Sequence, residues 1–238
     1  MDLAQSGPTL VTLCVRGRRS ARRALWFESA RLARVWSRGS AIRPVPTYAV
    51  VDEASLRYIE AQLAEEDGRG ALSMDGAFER FETTQPELAA RIQEVLDRPL
   101  DETALALGYF LSIAVWLAFE RAFSGRLGTV TRDAWRATVD ALALEEDLRR
   151  RNADEPLDLD DVLALEQPDV VAFVHDHIEA ALDAERPYAA DADDADEAAK
   201  DIDVDDVHLV YRTILLETLA LSHAVTPGAD EASPELLA

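Results

Sequence analysis

Two histidines and two glutamates are the residues of this sequence best suited to metal or acid–base chemistry. His175 and His177 flank Asp176, and imidazole nitrogens with carboxylate oxygens form the metal sites of helical bundles. Residues two apart on a helix project about 200° apart, so the two histidines cannot bind one ion together. A site would need one of them with Glu120 or Glu217 from a neighbouring helix. His177 falls within an apolar stripe, which favours a hydrogen-bonded core histidine. We therefore favour no metal site and expect no cofactor.

Catalytic motifs are absent from the sequence. Glu217 falls on the shoulder of an apolar stripe, beside Val210 and Leu221, where a glutamate is expected to reach water or an arginine. There is no Gly-x-Ser-x-Gly motif, phosphate-binding loop or regular calcium loop. Cys14 is the single cysteine, which excludes an intramolecular disulfide and a cysteine-based zinc site. The catalytic residues are therefore unknown, and the lack of catalytic motifs argues against an enzyme.

The charge of the chain is strongly negative and unevenly distributed. The 238 residues include 46 Asp and Glu against 24 Lys and Arg, for a net charge of −22. Of the basic residues, all but Lys200 are arginines. Excess carboxylate with little lysine is typical of proteins that stay soluble in molar salt, so we expect a halophilic cytoplasm. Such a surface repels phosphate, which argues against a nucleic-acid partner.

The charge pattern also suggests boundaries. Residues 1–43 carry nine arginines against two acids. This basic leader has three interpretations: a membrane or targeting helix, a disordered segment, or sequence that is not part of the native protein. We expect an α-helical domain over residues 44–226, with an acidic loop at about 185–204 and a flexible tail over 227–238.

Hydrophobic periodicity predicts helices along the whole of that domain. Thr84-Gln85-Pro86-Glu87 reads as a capping box that opens one of them. The spacing predicts an all-α, single-domain bundle of about six to eight helices. The predicted helices are Asp52–Asp67, Pro86–Asp97, Asp101–Phe123, Thr131–Asn152, a short one beginning at Asp158 or Asp160, Pro168–Asp183 and Asp205–Val225.

A short motif occurs twice. Gln85-Pro86-Glu87 recurs as Gln167-Pro168-Asp169, 82 residues later, and a longer, more apolar helix follows each copy. A duplicated helical hairpin explains this pattern, and chance similarity between two proline-initiated helices is the alternative.

The sequence favours a non-enzymatic cytosolic protein that acts through protein–protein contacts, with a protein partner or a second copy of itself. One alternative is a metal-dependent helical-bundle enzyme using the histidines and glutamates named above. The other is a membrane-associated protein held by the basic leader or by helix 101–123. Ala104–Phe119 is an uncharged stretch of 16 residues. Because a membrane span needs about 20, we expect the centre of a bundle instead.

Overall fold

Seven α-helices form the part of the chain that the structure describes. The structure, a computed structural model, describes residues 43–64, 73–151, 163–164, 166–185 and 203–228. These ranges contain no β-strand, only an antiparallel bridge between Leu127 and Val225. The predicted all-α helical bundle is confirmed. Its helices are α1 (Glu53–Ala64), α2 (Met74–Thr84), α3 (Pro86–Leu96), α4 (Glu102–Ala122), α5 (Arg132–Arg151), α6 (Pro168–Glu185) and α7 (Val204–Ala224).

Several predictions fall outside the described residues. These are the basic leader apart from Arg43, the start of the short helix near Asp158, nearly all of the acidic loop, and the tail beyond Gly228. Residues 163, 164 and 166 are helical and lead directly to Gln167.

Helix α2 was not predicted, and the capping box was wrong. Thr84 is the last residue of α2, and its hydroxyl donates to the carbonyl oxygen of Arg80. The N-cap of α3 is Gln85, whose side chain makes no capping bond. Pro86 disfavours helical backbone at the residue before it, which separates the two helices. The pattern of α2 was too weak to recognise, since only Ala77 and Phe81 are buried.

The two longest helices, α4 and α7, lie side by side at the centre. They run parallel, because their N-termini are joined by backbone-to-carboxylate bonds and their C-terminal ends by a bond from the N–H of Gly128 to the carbonyl oxygen of Ala224. Gly108 of α4 allows the close approach of α3: a Cβ there would lie 2.4 Å from Cδ2 of Leu96 in α3, and 3.4 Å from a methyl group of Val210 in α7. The expectation that α4 is a buried core helix is confirmed, with most of its residues inaccessible to solvent.

Gln85 joins the C-terminal end of α2 to the chain that leads into α5. Its side-chain nitrogen donates to the carbonyl oxygen of Gly128 at 3.0 Å, and its side-chain oxygen accepts the backbone N–H of Val130 at 2.8 Å. One buried amide thus satisfies two backbone groups that no helix pairs.

Gln167 makes the same joint for the chain that leads into α1. Its nitrogen donates to the carbonyl oxygen of Ala49 at 2.7 Å, and its oxygen accepts the backbone N–H of Val51 at 3.0 Å. The nitrogen also lies 2.9 Å from the hydroxyl of Ser222. Each glutamine therefore binds the segment that precedes a distant helix: Gln85 binds the segment before α5, and Gln167 the segment before α1.

The reciprocal joints define two halves: the first holds α1 to α4, and the second holds α5, the turn before Gln167, α6 and α7. Asp52 caps α1 by accepting the N–H of Ser55, and Thr131 caps α5 by accepting that of Ala134. The acidic residue after each proline also binds the other half. Glu87 accepts a hydrogen bond from the Arg132 side chain, and Asp169 accepts one from the backbone N–H of Glu53. These equivalences favour duplication of a unit larger than a hairpin over chance similarity.

Candidate functional site

An open cleft lies where α1 and α2 meet the C-terminal end of α4. It encloses about 480 Å³. Ile59 and Leu117 form its apolar floor, and both are buried in the core. The remaining lining residues are polar or aromatic: Tyr58, Arg80, Glu120, Arg121 and Ser124.

Tyr58 and Arg121 form a stack at the rim of the cleft. The guanidinium carbon of Arg121 lies 3.6 Å from the centre of the Tyr58 ring, so the two planar groups are in van der Waals contact. Tyr58 is 44% exposed although it is a large aromatic residue. Among the described residues, Arg121 has no ion pair and no hydrogen bond to its guanidinium. The stack therefore fixes a cation whose N–H donors face solvent.

Arg80 is held differently, although it lines the same cleft. Its guanidinium forms an ion pair with Glu120 and lies 5.2 Å from the centre of the Trp116 ring. Both charged side chains are more than a third exposed. Of the two cations, one is therefore neutralised within the protein and the other is not.

The same helix crossing in the second half lacks this chemistry. The matched N-caps Asp52 and Thr131 align α1 with α5, and the N-caps Asp101 and Asp203 align α4 with α7. At the equivalent positions α5 and α7 have small or uncharged side chains, so the helix pair does not require the aromatic and charged residues of the first half. The equivalent pairs are Tyr58 and Ala137, Ile59 and Thr138, Glu120 and Ser222, Arg121 and His223.

His177 is a core residue, as its place in the apolar stripe predicted. It is 4% exposed and lies between the rings of Phe110 and Phe173. Its Nδ1 donates to the carbonyl oxygen of Phe173 at 2.8 Å, and its Nε2 is 3.5 Å from the Glu60 carboxylate.

The other candidate metal ligands lie in different environments. Exposed His175 contacts the hydroxyl of Tyr211 at 2.8 Å through Nε2, and Glu120 pairs with Arg80. Within the described ranges, no group of three or more His, Cys, Asp or Glu side chains is placed to hold a metal ion. The structure therefore does not bring the four candidates together as one ligand set.

Glu217 corrects a prediction. It reaches neither water nor an arginine, but lies fully buried in α7 among helices that cover the shoulder of its stripe. Neither carboxyl oxygen makes a hydrogen bond of good geometry among the described residues. Burial raises the pKa of Glu217 well above its usual range, while the nearby Ser112 hydroxyl acts weakly to lower it. Burial therefore favours the uncharged form of the carboxyl.

No sequence pattern pointed to Tyr58, Arg80 or Arg121 as functional residues. Tyr58 lies on α1 and Arg121 at the end of α4, so no local motif contains both. The only signal was an aromatic residue on the polar side of α1, next to the apolar stripe.

Comparison with protein-family models, with curated proteins and with solved structures finds no match to this chain. Among the helices of the described ranges, α4 alone is long and apolar enough to cross a membrane, with a mean hydropathy of 1.6. As 67% of its most apolar window is buried inside the bundle, α4 is weak evidence for a membrane span. In the part of the chain that it describes, the structure defines an all-α bundle with two matching glutamine joints and a polar cleft between α1, α2 and α4.

Proposed function

We propose that this chain is a non-enzymatic protein that binds a protein partner through the cleft between α1, α2 and α4. The observation that carries the proposal is the exposed stack of Tyr58 on Arg121. Tyrosine and arginine are enriched among the residues that contribute most to protein–protein binding, because they combine a large contact area with directed hydrogen bonds. The second half makes the equivalent crossing without such residues, which favours a role in function over a role in folding.

The cleft is ordered before a partner arrives, and this reduces the entropic cost of binding. Tyr58 holds the guanidinium of Arg121, while Glu120 and Trp116 hold that of Arg80. Ordering a long side chain on binding costs about 0.5–1.5 kcal/mol, and here part of that cost is already met in the free protein. The exposed part of the Tyr58 ring offers apolar contact beside these polar groups.

Cross-linking in the native host tests the proposal. The tagged chain is compared with a double variant, Tyr58→Ala with Arg121→His, which copies the residues of the second half. Arg136→His, on the exposed side of α5, is the matched control. We expect wild type and the control to give the same cross-links from the cleft to a protein. That protein is either a different chain or a second copy of this one. The double variant should lose them. Cross-links that the double variant retains, or their absence from wild type, would contradict the proposal.

We also propose that the protein works in a salt-rich cytoplasm. The support is compositional: 46 acidic residues against 24 basic ones leave the surface self-repulsive in dilute buffer. Molar salt screens that repulsion within about 3 Å. The melting temperature should rise from dilute buffer to molar KCl, and a flat or falling value would count against this environment.

A further inference from the structure

We infer that the cleft recognises an acidic peptide segment, in which an Asp or Glu side chain binds Arg121 and an adjacent apolar side chain packs on the exposed part of the Tyr58 ring. This inference deepens the proposed function and rests on it. It names the chemistry of the partner, which the presence of a cleft alone does not.

The two arginines of the cleft are not equivalent. Glu120 neutralises Arg80, whereas Arg121 has no carboxylate within ion-pair distance among the described residues. The ring of Tyr58 covers one face of the Arg121 guanidinium and leaves its edge open. The N–H groups on that edge form a planar fork that matches the two oxygens of a carboxylate. Arg121 is therefore the anion-binding group.

Charge favours a carboxylate over a phosphate. Arg80, Glu120 and Arg121 together leave the cleft with a single positive charge. The chain as a whole carries −22, so a doubly charged phosphate meets more repulsion than a singly charged carboxylate does. A partner with one acid at the contact complements the cleft without excess negative charge.

The exposed part of the Tyr58 ring determines what lies next to the acid. Ile59 and Leu117 are buried in the core, whereas Tyr58 is 44% exposed at the rim. A neighbouring apolar side chain of the partner removes part of that ring from water, and it also shields the ion pair from solvent and salt. An extended run of acids would leave the ring uncovered, so we expect an acid beside an apolar residue.

A displayed library of random peptides, selected against the full chain in molar KCl, tests the inference. Enriched peptides are resynthesised with the acid intact, with the acid replaced by its amide, and with a phosphoserine in its place. We expect the amide form to bind about ten- to a hundredfold more weakly, because a hydrogen-bonded charge pair is lost. Arg121→Glu should weaken the acidic form by a similar factor and Arg121→Lys by several-fold, since lysine lacks the planar fork. Arg136→Glu, the matched control, should change affinity less than twofold, roughly the effect of a distant surface charge.

The outcomes separate the two proposals. Peptides that bind in the cleft without dependence on their acid, that bind more tightly as phosphopeptides, or that bind Arg121→Glu as well as wild type overturn the carboxylate inference and leave the proposed function standing. If no peptide distinguishes wild type from Tyr58→Ala with Arg121→His, the proposed function fails as well. If Arg121→Lys binds the acidic peptide as tightly as wild type does, the planar fork is not what recognises the carboxylate.

Discussion

In the first half of the molecule Tyr58 of α1 stacks on Arg121 of α4, and the equivalent positions of α5 and α7 hold Ala137 and His223. At their joints, by contrast, the halves are the same, with one buried glutamine satisfying a carbonyl oxygen and an N–H group of the opposite half. Residues that recur at equivalent positions are explained by the fold. Residues that appear on one side only need another explanation, and the proposed binding function supplies one for the cleft.

Removing the glutamine joints should have the largest effect on stability. Gln→Met keeps the length of the side chain and removes its hydrogen bonds. Each substitution leaves one buried backbone carbonyl and one buried N–H group without a partner; Gln167→Met also removes a bond to the Ser222 hydroxyl, which keeps its bond to Thr218. At about 1–3 kcal/mol for each buried group, we expect each variant to lose about 2–4 kcal/mol in the free energy of unfolding, with the larger loss for Gln167→Met. Denaturant unfolding measures both, and a larger loss for Gln85 would contradict the equivalence of the joints.

Replacing Gly108 of α4 with the residue that α7 has at the equivalent position should have the next largest effect on stability. Gly108 corresponds to Val210, and Gly108→Val would force Leu96 out of its packed position. Overpacking of this kind costs about 1–3 kcal/mol. Thermal unfolding of the variant, and of the double variant with Leu96→Ala, checks the cause. If the close approach is the reason, the second substitution restores part of the loss.

Making α7 resemble α4 at Glu217 should stabilise the protein. The equivalent position in α4 is Val115, which is fully buried. Glu217→Met replaces an unsatisfied carboxyl with an apolar side chain of similar length. We expect the free energy of unfolding to rise by about 1–3 kcal/mol at neutral pH. A decrease would show that the Glu217 carboxyl has a partner that contributes to stability.

The pH dependence isolates the ionisation of Glu217. Its pKa is raised in the folded state, so the unfolded chain ionises first as the pH rises above about 4.3. Stability that is fully present below that pH is then lost progressively until the folded state ionises too. Glu217→Gln removes this loss, so its advantage over wild type should grow as the pH rises above the unfolded-state pKa. A difference in urea-unfolding free energy that stays constant as the pH rises would show that the carboxyl keeps an ordinary pKa.

Replacing the two stacked residues of the cleft with their equivalents from the second half should have the smallest effect on stability. Tyr58→Ala with Arg121→His removes an exposed stack, and exposed charged pairs contribute less than about 1 kcal/mol. We expect a change below about 1 kcal/mol in the same unfolding assay, together with the loss of cross-links. A cost comparable to that of the glutamine variants would show that the stack is structural, and the main support for the binding proposal would be lost.

Local patterns predicted most of the helices and several of their ends. Asp101 and Thr131 cap α4 and α5 as expected, because capping depends on a side chain and a backbone N–H only a few residues apart. Helix α2 was missed, since a stripe of two buried residues does not stand out from a surface segment. The Gln-Pro repeat was visible, but its meaning was not: each glutamine bonds to a part of the chain 43 to 118 residues away.

By itself, the sequence determined the helical class, the buried place of His177 and the apolar nature of α4, because helix periodicity is a local property read over one or two turns. Only the tertiary structure decided which side of the α7 apolar stripe is covered by other helices, and therefore that Glu217 is buried and its pKa raised. Only the tertiary structure placed Arg121 over Tyr58 and gave the first half its cleft. The physical reason is the same in both cases: solvent exposure and pairing depend on which helices pack together, and that packing depends on residues distant in the chain.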